Sequence, residues 1–262
     1  MKTTKKLMTL LLALLALAAC QDEPNSAIET IKVNGVSFKM VKVKGGSLTL
    51  NMELPITPQF ILYRDSTLNV TVRDFSIGQT EVTQALWQAV MGSNHSYFSS
   101  NNDNHNENDE RVFEDDLNRP VEWVSWNDCQ DFISKLNELT GHHFRIPTEA
   151  EWEFAARGGN KTHCYPYAGS ENIEEVAWCA ENSNNMTHPV GQKMPNELGL
   201  FDMTGNVREW CSDFEGFRSA DGTRYDFRIV RGGSYYWEYF VWYRDRATQT
   251  VRSSDIGLRL AE

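Results

Sequence analysis

The stretch RIPTEAEWEFAARGG, residues 145–159, predicts a short helix with well-defined ends. Thr148 and Glu151 form a capping-box pair, in which each side chain accepts a hydrogen bond from the other residue's backbone N–H. Gly158 and Gly159 then end the helix, because glycine readily adopts the left-handed conformation that stops it. A fold rich in loops needs such fixed hydrogen bonds, since its backbone groups lack the ladder partners of a sheet.

One side of this helix is expected to be buried. Trp152, Ala155 and Ala156 can pack inward, and the tryptophan supplies a large apolar area. Arg145 and Arg157, near the two ends of the helix, are placed to meet carboxylates. We therefore interpret the stretch as structural rather than catalytic.

Two more helices are predicted on the same grounds. Ser125-Trp-Asn-Asp128 is a second capping-box pattern, with Asp in the place of Glu. Apolar residues follow it at helical spacing until Gly141 supplies the left-handed stop. The other helix is expected from Thr80 to Met91, where Gly92 ends it.

The strand signals are short and scattered. Residues 31–43 alternate apolar and polar side chains around Asn34-Gly35, which is a strong signal for a two-residue hairpin. Further strands are expected at 70–77, 228–236 and 256–260. A few helices set among short strands and long loops predict the α+β class, in a single irregular domain.

The composition is that of an acidic globular protein. The chain has 262 residues and a net charge of −11, with 40% hydrophobic and 23% charged residues, which rules out full disorder. An acidic chain without a dense Lys/Arg stripe also argues against nucleic-acid binding, where phosphate neutralisation supplies most of the affinity. Residues 93–118, rich in Asn and acids, are expected to form a surface loop.

The first residues of the chain predict export and lipidation. A positively charged start precedes an apolar run at 7–19, which is too short to span a bilayer and fits a secretory signal peptide. The small residues before Cys20 resemble the lipobox of bacterial lipoproteins. We expect residues 1–19 to be removed, Cys20 to carry the lipid, and residues 20–35 to form the lipidated terminus, a linker and the first strand. The alternative is an ordinary cleavage site with an incidental cysteine.

The expected location is the bacterial cell envelope, with the chain anchored by lipid in the outer membrane or at the cell surface. The tract Gln21-Asp22-Glu23 directly after the cysteine resembles the surface-export signals of some Gram-negative lipoproteins. A lipid anchor attaches a protein to a membrane without spanning it.

Four cysteines follow Cys20 in the sequence, at positions 129, 164, 179 and 211. The exported compartment permits disulfides, and four cysteines allow three pairings among which the sequence does not choose. None of them forms a CxxC pair or shares zinc-ligand spacing with the six histidines. Small buried side chains or one disulfide are therefore expected.

Six stretches of the chain, taken together and in order, resemble the formylglycine-generating-enzyme/sulfatase-modifying-factor family. The resemblance implies one domain over residues 36–262, with the family's variant of the C-type-lectin fold. The stretches are GQTEVT at 78–83, RPVEWVSW at 119–126, RIPTEAEWEFAARGG at 145–159, NELGLFDMTGNVREW at 196–210, RGGS at 231–234 and IGLR at 256–259.

The resemblance breaks down at the catalytic centre. Catalytic members carry a Cys-x4-Cys pair shortly after the Gly-Gly-Ser motif, whose thiolates bind copper(I) while O₂ oxidises a substrate cysteine to formylglycine. Here Trp237 and Trp242 stand at those positions, and the chain has no cysteine after Cys211. An indole has one N–H donor and no exchangeable sulfur. We expect neither copper nor formylglycine-generating activity; the alternative is a family enzyme that oxidises its substrate with other residues.

The resemblance also implies a structural calcium site. Asp202 and Glu209 would supply side-chain oxygens, and Gly205 and Val207 backbone carbonyls, which are the hard donors that calcium prefers. The alternative is a metal-free carboxylate pair held by Arg208 or by backbone N–H groups.

A dense aromatic run follows the glycine pair at 232–233. If Trp237 and Trp242 line the former substrate groove, they form, with Tyr236 and Tyr243, an aromatic surface for a glycan or an envelope protein. Packing in the core is the alternative for these rings. The sequence thus favours a non-catalytic envelope lipoprotein that acts as a binding or structural module.

Overall fold

A computed structural model of the chain describes residues 27–51, 67–100, 116–218 and 222–262. Cys20 and the signal peptide predicted at 1–19 lie outside these ranges, as does most of the surface loop predicted at 93–118. None of the helices within the described ranges combines the length and the apolar character that a bilayer-spanning helix requires.

The first half of the fold contains two small antiparallel sheets. One has the order β1 (Ile28–Val33), β2 (Val36–Val43) and β5 (Phe75–Gly78), and the other pairs β3 (Gly46–Asn51) with β4 (Thr67–Val72). The predicted hairpin is confirmed: Val33 pairs with Val36, and Asn34 and Gly35 both have positive φ, as a tight two-residue turn requires. The strand predicted at 70–77 is two strands instead, which belong to different sheets.

A 3-10 helix spans Gly159–Lys161. The described part of the chain also has four α-helices, and a predicted capping box or glycine stop is present in the first three. They are α1 (Gln84–Met91), α2 (Trp126–Thr140), α3 (Glu149–Ala156) and α4 (Ile173–Val176). Both capping boxes, Ser125 with Asp128 and Thr148 with Glu151, are complete. Helix α1 starts later than predicted, at Thr83 as N-cap, because the backbone N–H groups of Gln79 and Val82 bond other parts of the chain.

The second half of the fold contains the sheet that positions the site. Its order is β8 (Arg244–Thr248), β7 (Arg224–Arg231), β6 (Arg208–Arg218) and β9 (Ile256–Gly257), with β9 parallel to β6 and the other pairs antiparallel. The α+β class is confirmed.

A long irregular segment between α4 and β6 is held by side-chain hydrogen bonds. The amide of Asn196 donates to the carbonyls of Ala155 and Ala156, and its oxygen accepts the N–H groups of Leu198 and Leu200. One buried side chain thus ties the end of α3 to the loop that leads into β6.

Two large apolar clusters fill most of the interior, and two smaller ones lie around Ile173 and around Phe98. One of the large clusters packs β1 and β2 against α1 and α2, where Trp87 stacks on Phe132 with ring centroids 4.7 Å apart. The other surrounds α3 and contains Trp152, which is fully buried, as predicted. Trp210, also fully buried, lies in the first cluster. Trp126 is only half-buried.

A buried ion network joins α3 to the large sheet. Arg231 has no exposed surface, and it donates from Nη1 to Glu149 at 3.0 Å and from Nη2 to Glu153. Arg244 donates to the same Glu149 at 2.7 Å, and Arg157 pairs with Glu153 at 2.7 Å. The network holds α3 against β7 and β8.

Replacing Arg231 with Met should lower the free energy of unfolding by about 3–5 kcal/mol, because it leaves buried carboxylates with fewer partners. Urea denaturation of the two proteins measures the difference. Arg224, at the other end of the same strand, pairs with Asp226 in solvent, so the matched change Arg224→Met should cost less than about 1 kcal/mol. Equal losses in the two variants would contradict a supporting role for the buried network.

Candidate functional site

The segment between β7 and β8, residues 232–243, forms a loop rather than the strand predicted up to residue 236. Gly232 has φ 84°, which takes the chain out of the ladder after Arg231. Gly233 then passes so close to Thr204 that a Cβ there would lie 2.5 Å from the Thr204 carbonyl oxygen. Glycine at position 233 therefore permits this close backbone approach.

The loop is fixed at its base by a compact turn. Ser234 Oγ accepts the N–H groups of Tyr236 and Trp237, and the Ser234 N–H donates to the Trp237 carbonyl at 2.9 Å. Tyr235 points inward, where its ring packs edge-on against Phe98 at 5.0 Å. The aromatic side chains that follow are therefore mounted on a rigid turn.

Most of the other rings of the run lie at the surface. Tyr236, Trp237, Phe240 and Trp242 are 52%, 46%, 46% and 36% exposed. Core packing therefore explains Tyr235 but does not explain these four. We call the group the aromatic platform, defined by Tyr236, Trp237, Tyr239, Phe240, Trp242 and Tyr243.

The rings of the aromatic platform support one another by stacking. Tyr239 lies parallel to Tyr243 at 3.6 Å and to Trp237 at 6.2 Å, while Phe240 stacks on Trp242 at 4.8 Å. Burial, followed by the contact with Tyr239, raises the pKa of Tyr243, so its phenol stays neutral. The rings form two uncharged stacks: Tyr236, Trp237 and Tyr243, three of the four ligand-binding residues predicted from the sequence, lie in the stack around Tyr239, and the fourth, Trp242, lies in the stack with Phe240.

The buried ion network supports this surface from beneath. Arg231 Nη2 also donates to the carbonyl of Val241, the buried residue between Phe240 and Trp242. The guanidinium of Arg157, which pairs with Glu153, lies 5.8 Å from the Trp242 ring centroid. The ion network of α3 therefore holds the loop at Val241, and Arg157, just after the helix, contacts the neighbouring Trp242 ring.

A single thiol lies beside the aromatic platform. Cys179 Sγ contacts a Glu181 oxygen at 3.5 Å, and these atoms lie within 4.8 Å of a carboxylate oxygen of Glu238, the neighbour of Trp237. Burial raises the pKa of Cys179, which keeps the sulfur as a thiol. In the described part of the chain Cys129, Cys164, Cys179 and Cys211 are all unpaired, and Cys164 alone among them is exposed.

Two of the predicted calcium ligands, Asp202 and Glu209, belong to a second buried cluster of charged side chains, in which Arg259 is the cation. Asp202 adopts φ 60°, and its Oδ2 accepts the Gly191 N–H at 2.6 Å, while Oδ1 is buried without a hydrogen-bond partner. Glu209 is held by Arg259, which donates from Nε and Nη2, and by Trp152, whose Nε1 donates at 2.6 Å. Arg208 faces away and pairs with Asp245 and Asp255.

Glu81 completes this cluster and was not predicted from the sequence. Both of its carboxylate oxygens are buried without a donor from another residue type, and its side chain lies within hydrogen-bonding contact of the Asp202 carboxylate, an arrangement that a shared proton satisfies. Burial, reinforced by the charge of Asp202, raises the pKa of Glu81 well above its usual range, and burial raises that of Asp202 to about 6. The only feature of the sequence that points to Glu81 is its position in the GQTEVT stretch at 78–83.

Comparison with known proteins identifies the family of this chain. The family model described as "Sulfatase-modifying factor enzyme 1-like domain" matches residues 26–262, which include all the strands and helices above. This chain belongs to the sulfatase-modifying factor enzyme 1-like family.

The proteins that this chain is similar to include a protein named as a chaperone, one named as an enzyme, and a variable protein. The chain is 32% identical to the chaperone protein LppX of Paenibacillus barcinonensis over 282 residues, 88% of each chain. It is 34% identical to the formylglycine-generating enzyme of Streptomyces coelicolor over 172 residues, which span about half of that enzyme (52%) and 55% of this chain. The solved structure of Treponema denticola variable protein 1 matches with a TM-score of 0.70 and 29% identity, over 89% of this chain and 98% of that one.

The two positions that the sequence resemblance assigns to the catalytic thiols lie in the aromatic platform. Trp237 and Trp242, which stand at those positions, are both exposed. The grouping of Cys179 with Glu181 and Glu238 offers one sulfur and two oxygens, rather than the two sulfurs that a copper(I) thiolate site requires.

The calcium set predicted from the family fits the structure only in part. Each oxygen of Glu209 already accepts two N–H donors, which uses the lone pairs of that carboxylate. Asp202, with its unpartnered Oδ1, retains the capacity to bind a cation. Gly205 is required where it stands, because a Cβ would lie 2.5 Å from the Trp178 carbonyl oxygen.

Glu122 anchors the underside of the platform. It is fully buried and accepts the N–H groups of Tyr97 at 3.0 Å and of Phe98 at 2.9 Å, and the Phe98 ring supports Tyr235. Burial raises the pKa of Glu122 from 4.5 to about 8, although these two N–H groups act in the opposite direction.

This pKa predicts a pH dependence of stability. Between pH 4.5 and 8 the folded chain keeps a proton on Glu122 that the unfolded chain has released, so the free energy of unfolding falls as pH rises. The slope from this group is at most about 1.4 kcal/mol per pH unit. Glu122→Gln should flatten that decline in urea denaturation from pH 5 to 8, whereas Glu138→Gln, on the exposed face of α2, should leave it unchanged. Parallel curves for wild type and Glu122→Gln would contradict the raised pKa.

Proposed function

We propose that this family member is a binding module of the bacterial envelope, that the aromatic platform is its ligand site, and that it does not oxidise cysteine to formylglycine. The observation that carries the proposal is the exposure of Trp237 and Trp242 at the two positions of the catalytic thiols. The residues that would carry the reaction have been replaced by residues suited to binding.

Indole chemistry supports the absence of the oxidase reaction. Formylglycine formation as the family performs it needs thiolates that bind copper(I) and exchange with a substrate thiol, and an indole does neither. Cys179, beside Glu238, does not replace the pair, because its pKa is raised and it lies with two carboxylates. No oxidation step is therefore assigned to the residues of this site.

An extended polypeptide is the ligand class that the platform fits best. Stacked, exposed rings bind apolar, aromatic and guanidinium side chains over a broad area without requiring one fixed hydrogen-bond pattern. The exposed carboxylates of Glu181 and Glu238 lie beside the rings and favour basic segments. A relative that covers 88% of this chain is named a chaperone protein, which agrees with a polypeptide ligand.

The position of the module follows from the sequence features at its N-terminus. A lipid on Cys20 would hold the folded body at the membrane, in the outer membrane or at the cell surface, as the residues before and after this cysteine indicate. Strand β1 begins at Ile28, so only a short linker separates the lipid from the fold. A calcium ion, if bound at Asp202, would stabilise this fold rather than take part in a reaction.

The absence of oxidase activity can be tested on a peptide. The purified full chain, incubated with copper(I), O₂ and a sulfatase-type cysteine peptide, should leave the peptide mass unchanged. A family enzyme that carries both thiols, tested in parallel, should lower it by about 18 Da, the difference between a thiol and an aldehyde. The same mass loss with this chain would contradict the proposal.

The binding role can be tested with an unfolded protein. Reduced, carboxamidomethylated pancreatic ribonuclease, a basic unfolded chain without tryptophan, should bind the full chain. The double variant Trp237→Ala/Trp242→Ala should bind it at least tenfold more weakly, as expected when aromatic side chains that become buried on binding are removed. Phe214→Ala provides the control, because Phe214 is 49% exposed on β6, outside the platform. Isothermal titration measures both.

Two results would contradict a polypeptide ligand at the platform. The first is unchanged affinity for the unfolded protein in the double variant. The second is binding of neutral oligosaccharides, abolished in the double variant, with no binding of the unfolded protein, which would make the platform a glycan site.

A further inference from the structure

A cavity of about 700 Å³ lies outside the aromatic platform, and none of the residues that line it belongs to that platform. Its walls come from the end of β4, the first turns of α2 and α3, and β6 at Ser212. The volume is within the range of roughly 300–1,000 Å³ that is typical of small-molecule sites.

The walls of this cavity are held in place by hydrogen bonds. Both capping boxes lie at its edge, since Trp126 directly follows the cap residue Ser125, and Thr148 is part of the lining. Arg145 donates from Nη1 and Nη2 to the two carboxylate oxygens of Glu151, each at 2.6 Å. A ligand would therefore meet a preformed site, which reduces the ordering that binding requires.

One indole ring lines the cavity. Trp126 is half-buried, and its Nε1 donates to the Cys211 carbonyl at 3.2 Å, which fixes the orientation of the ring. The guanidinium of Arg228 lies 3.8 Å from the ring centroid and donates to the Ser212 carbonyl at 2.7 Å. An indole held in this way offers a flat apolar surface with which the C–H groups of a sugar ring can make contact.

Polar groups with free hydrogen-bonding capacity accompany the indole. The amide of Gln130 and the hydroxyls of Thr71 and Ser212 line the cavity, and none of these side-chain groups bonds another residue in the described part of the chain. Amides and hydroxyls both donate and accept hydrogen bonds. This set of groups matches the hydroxyls of a carbohydrate, which also act as donors and acceptors.

The charges at the cavity leave one cation without a partner. The three carboxylates of the lining, on Asp74, Glu151 and Glu262, each already accept a hydrogen bond from a cationic or backbone N–H group. Arg73 is exposed and lines the same cavity, and no carboxylate within the described ranges pairs with it. A guanidinium binds a carboxylate through two parallel hydrogen bonds, so Arg73 favours an anionic ligand.

We propose that this cavity binds a short acidic oligosaccharide. One sugar ring would lie against Trp126, sugar hydroxyls would bond Gln130 and Ser212, and a sugar carboxylate would pair with Arg73. A purely apolar ligand would cover the amide and the guanidinium without bonding them, which costs binding energy. The site is separate from the aromatic platform, and it does not depend on the function proposed for that surface.

The test measures binding of di- and trisaccharides that contain uronic acids to the purified full chain. Each acidic sugar is compared with its own methyl ester, which keeps the rings and hydroxyls but has no charge. We expect at least one acidic sugar to bind with one-to-one stoichiometry in isothermal titration. Its ester should bind about tenfold more weakly, because it cannot form the charged pair with Arg73.

Variants of the lining residues show which groups bind the sugar. Arg73→Ala should weaken binding of the acid about tenfold and leave binding of the ester unchanged. Lys135→Ala, which removes an exposed cation of α2 outside the cavity, should match the wild type for both sugars. Trp126→Ala should weaken binding of both sugars about tenfold. If Trp126→Ala does not fold, Gln130→Trp takes its place, and its added ring should block binding of both sugars.

The platform variant Trp237→Ala/Trp242→Ala should retain the wild-type affinity for the acidic sugar. Three results would overturn the proposal. Failure of every acidic sugar to bind would show that the cavity is not a saccharide site. Equal affinity for acid and ester, unchanged in Arg73→Ala, would remove the carboxylate from the assignment. Loss of sugar binding in the platform variant, with full binding in the Trp126 or Gln130 variant, would place the sugar on the platform.

Discussion

The guanidinium of Arg231 is the constraint on which the rest of the structure depends. It is fully buried, so it is stable only where carboxylates and carbonyls surround it. Glu149 and Glu153 meet it from α3, and the Val241 carbonyl meets it from the loop that carries the aromatic platform. One side chain therefore holds together helix α3, strand β7 and the loop of the aromatic platform.

Buried polar contacts of this kind replace the ladders that a more regular fold would use. The pair of Glu209 with Arg259 joins β6 to the chain end just after β9, and Asn196 joins α3 to the segment before β6. These contacts have little freedom to rearrange, because breaking one leaves a charge or an amide without a partner. Tyr236, Trp237, Phe240 and Trp242 remain exposed beside these contacts, so a ligand can reach them.

Local patterns in the sequence predict the local parts of this fold well. The capping boxes at Ser125 and Thr148 and the turn at Asn34-Gly35 depend on neighbouring residues, and all are present. The predicted strand at 228–236 is wrong beyond Arg231, because Gly232 takes a left-handed conformation where the chain passes Thr204. Strand alternation alone does not reveal such a tertiary contact.

In the candidate site, too, the residues marked by a local sequence pattern were predicted, and the residue that is brought in from a distant segment was not. Trp237 and Trp242 were found because their spacing matches a known pair of thiols, and their exposure agrees with a binding surface. Glu81 was missed because its partner, Asp202, lies 121 positions away and no local pattern links them. Long-range pairing of buried charges is a property of the folded chain.

The central claim is that an exposed aromatic surface, mounted on a buried ion network, binds polypeptide. Acrylamide quenching of tryptophan fluorescence tests it most directly, because the indoles at 237 and 242 are exposed whereas those at 152 and 210 are fully buried. The account predicts that saturating unfolded polypeptide reduces quenching in the wild type and leaves it unchanged in a Trp237→Phe/Trp242→Phe variant that still binds. Unchanged quenching in the wild type, with polypeptide bound, would show that the ligand lies elsewhere and would contradict the account.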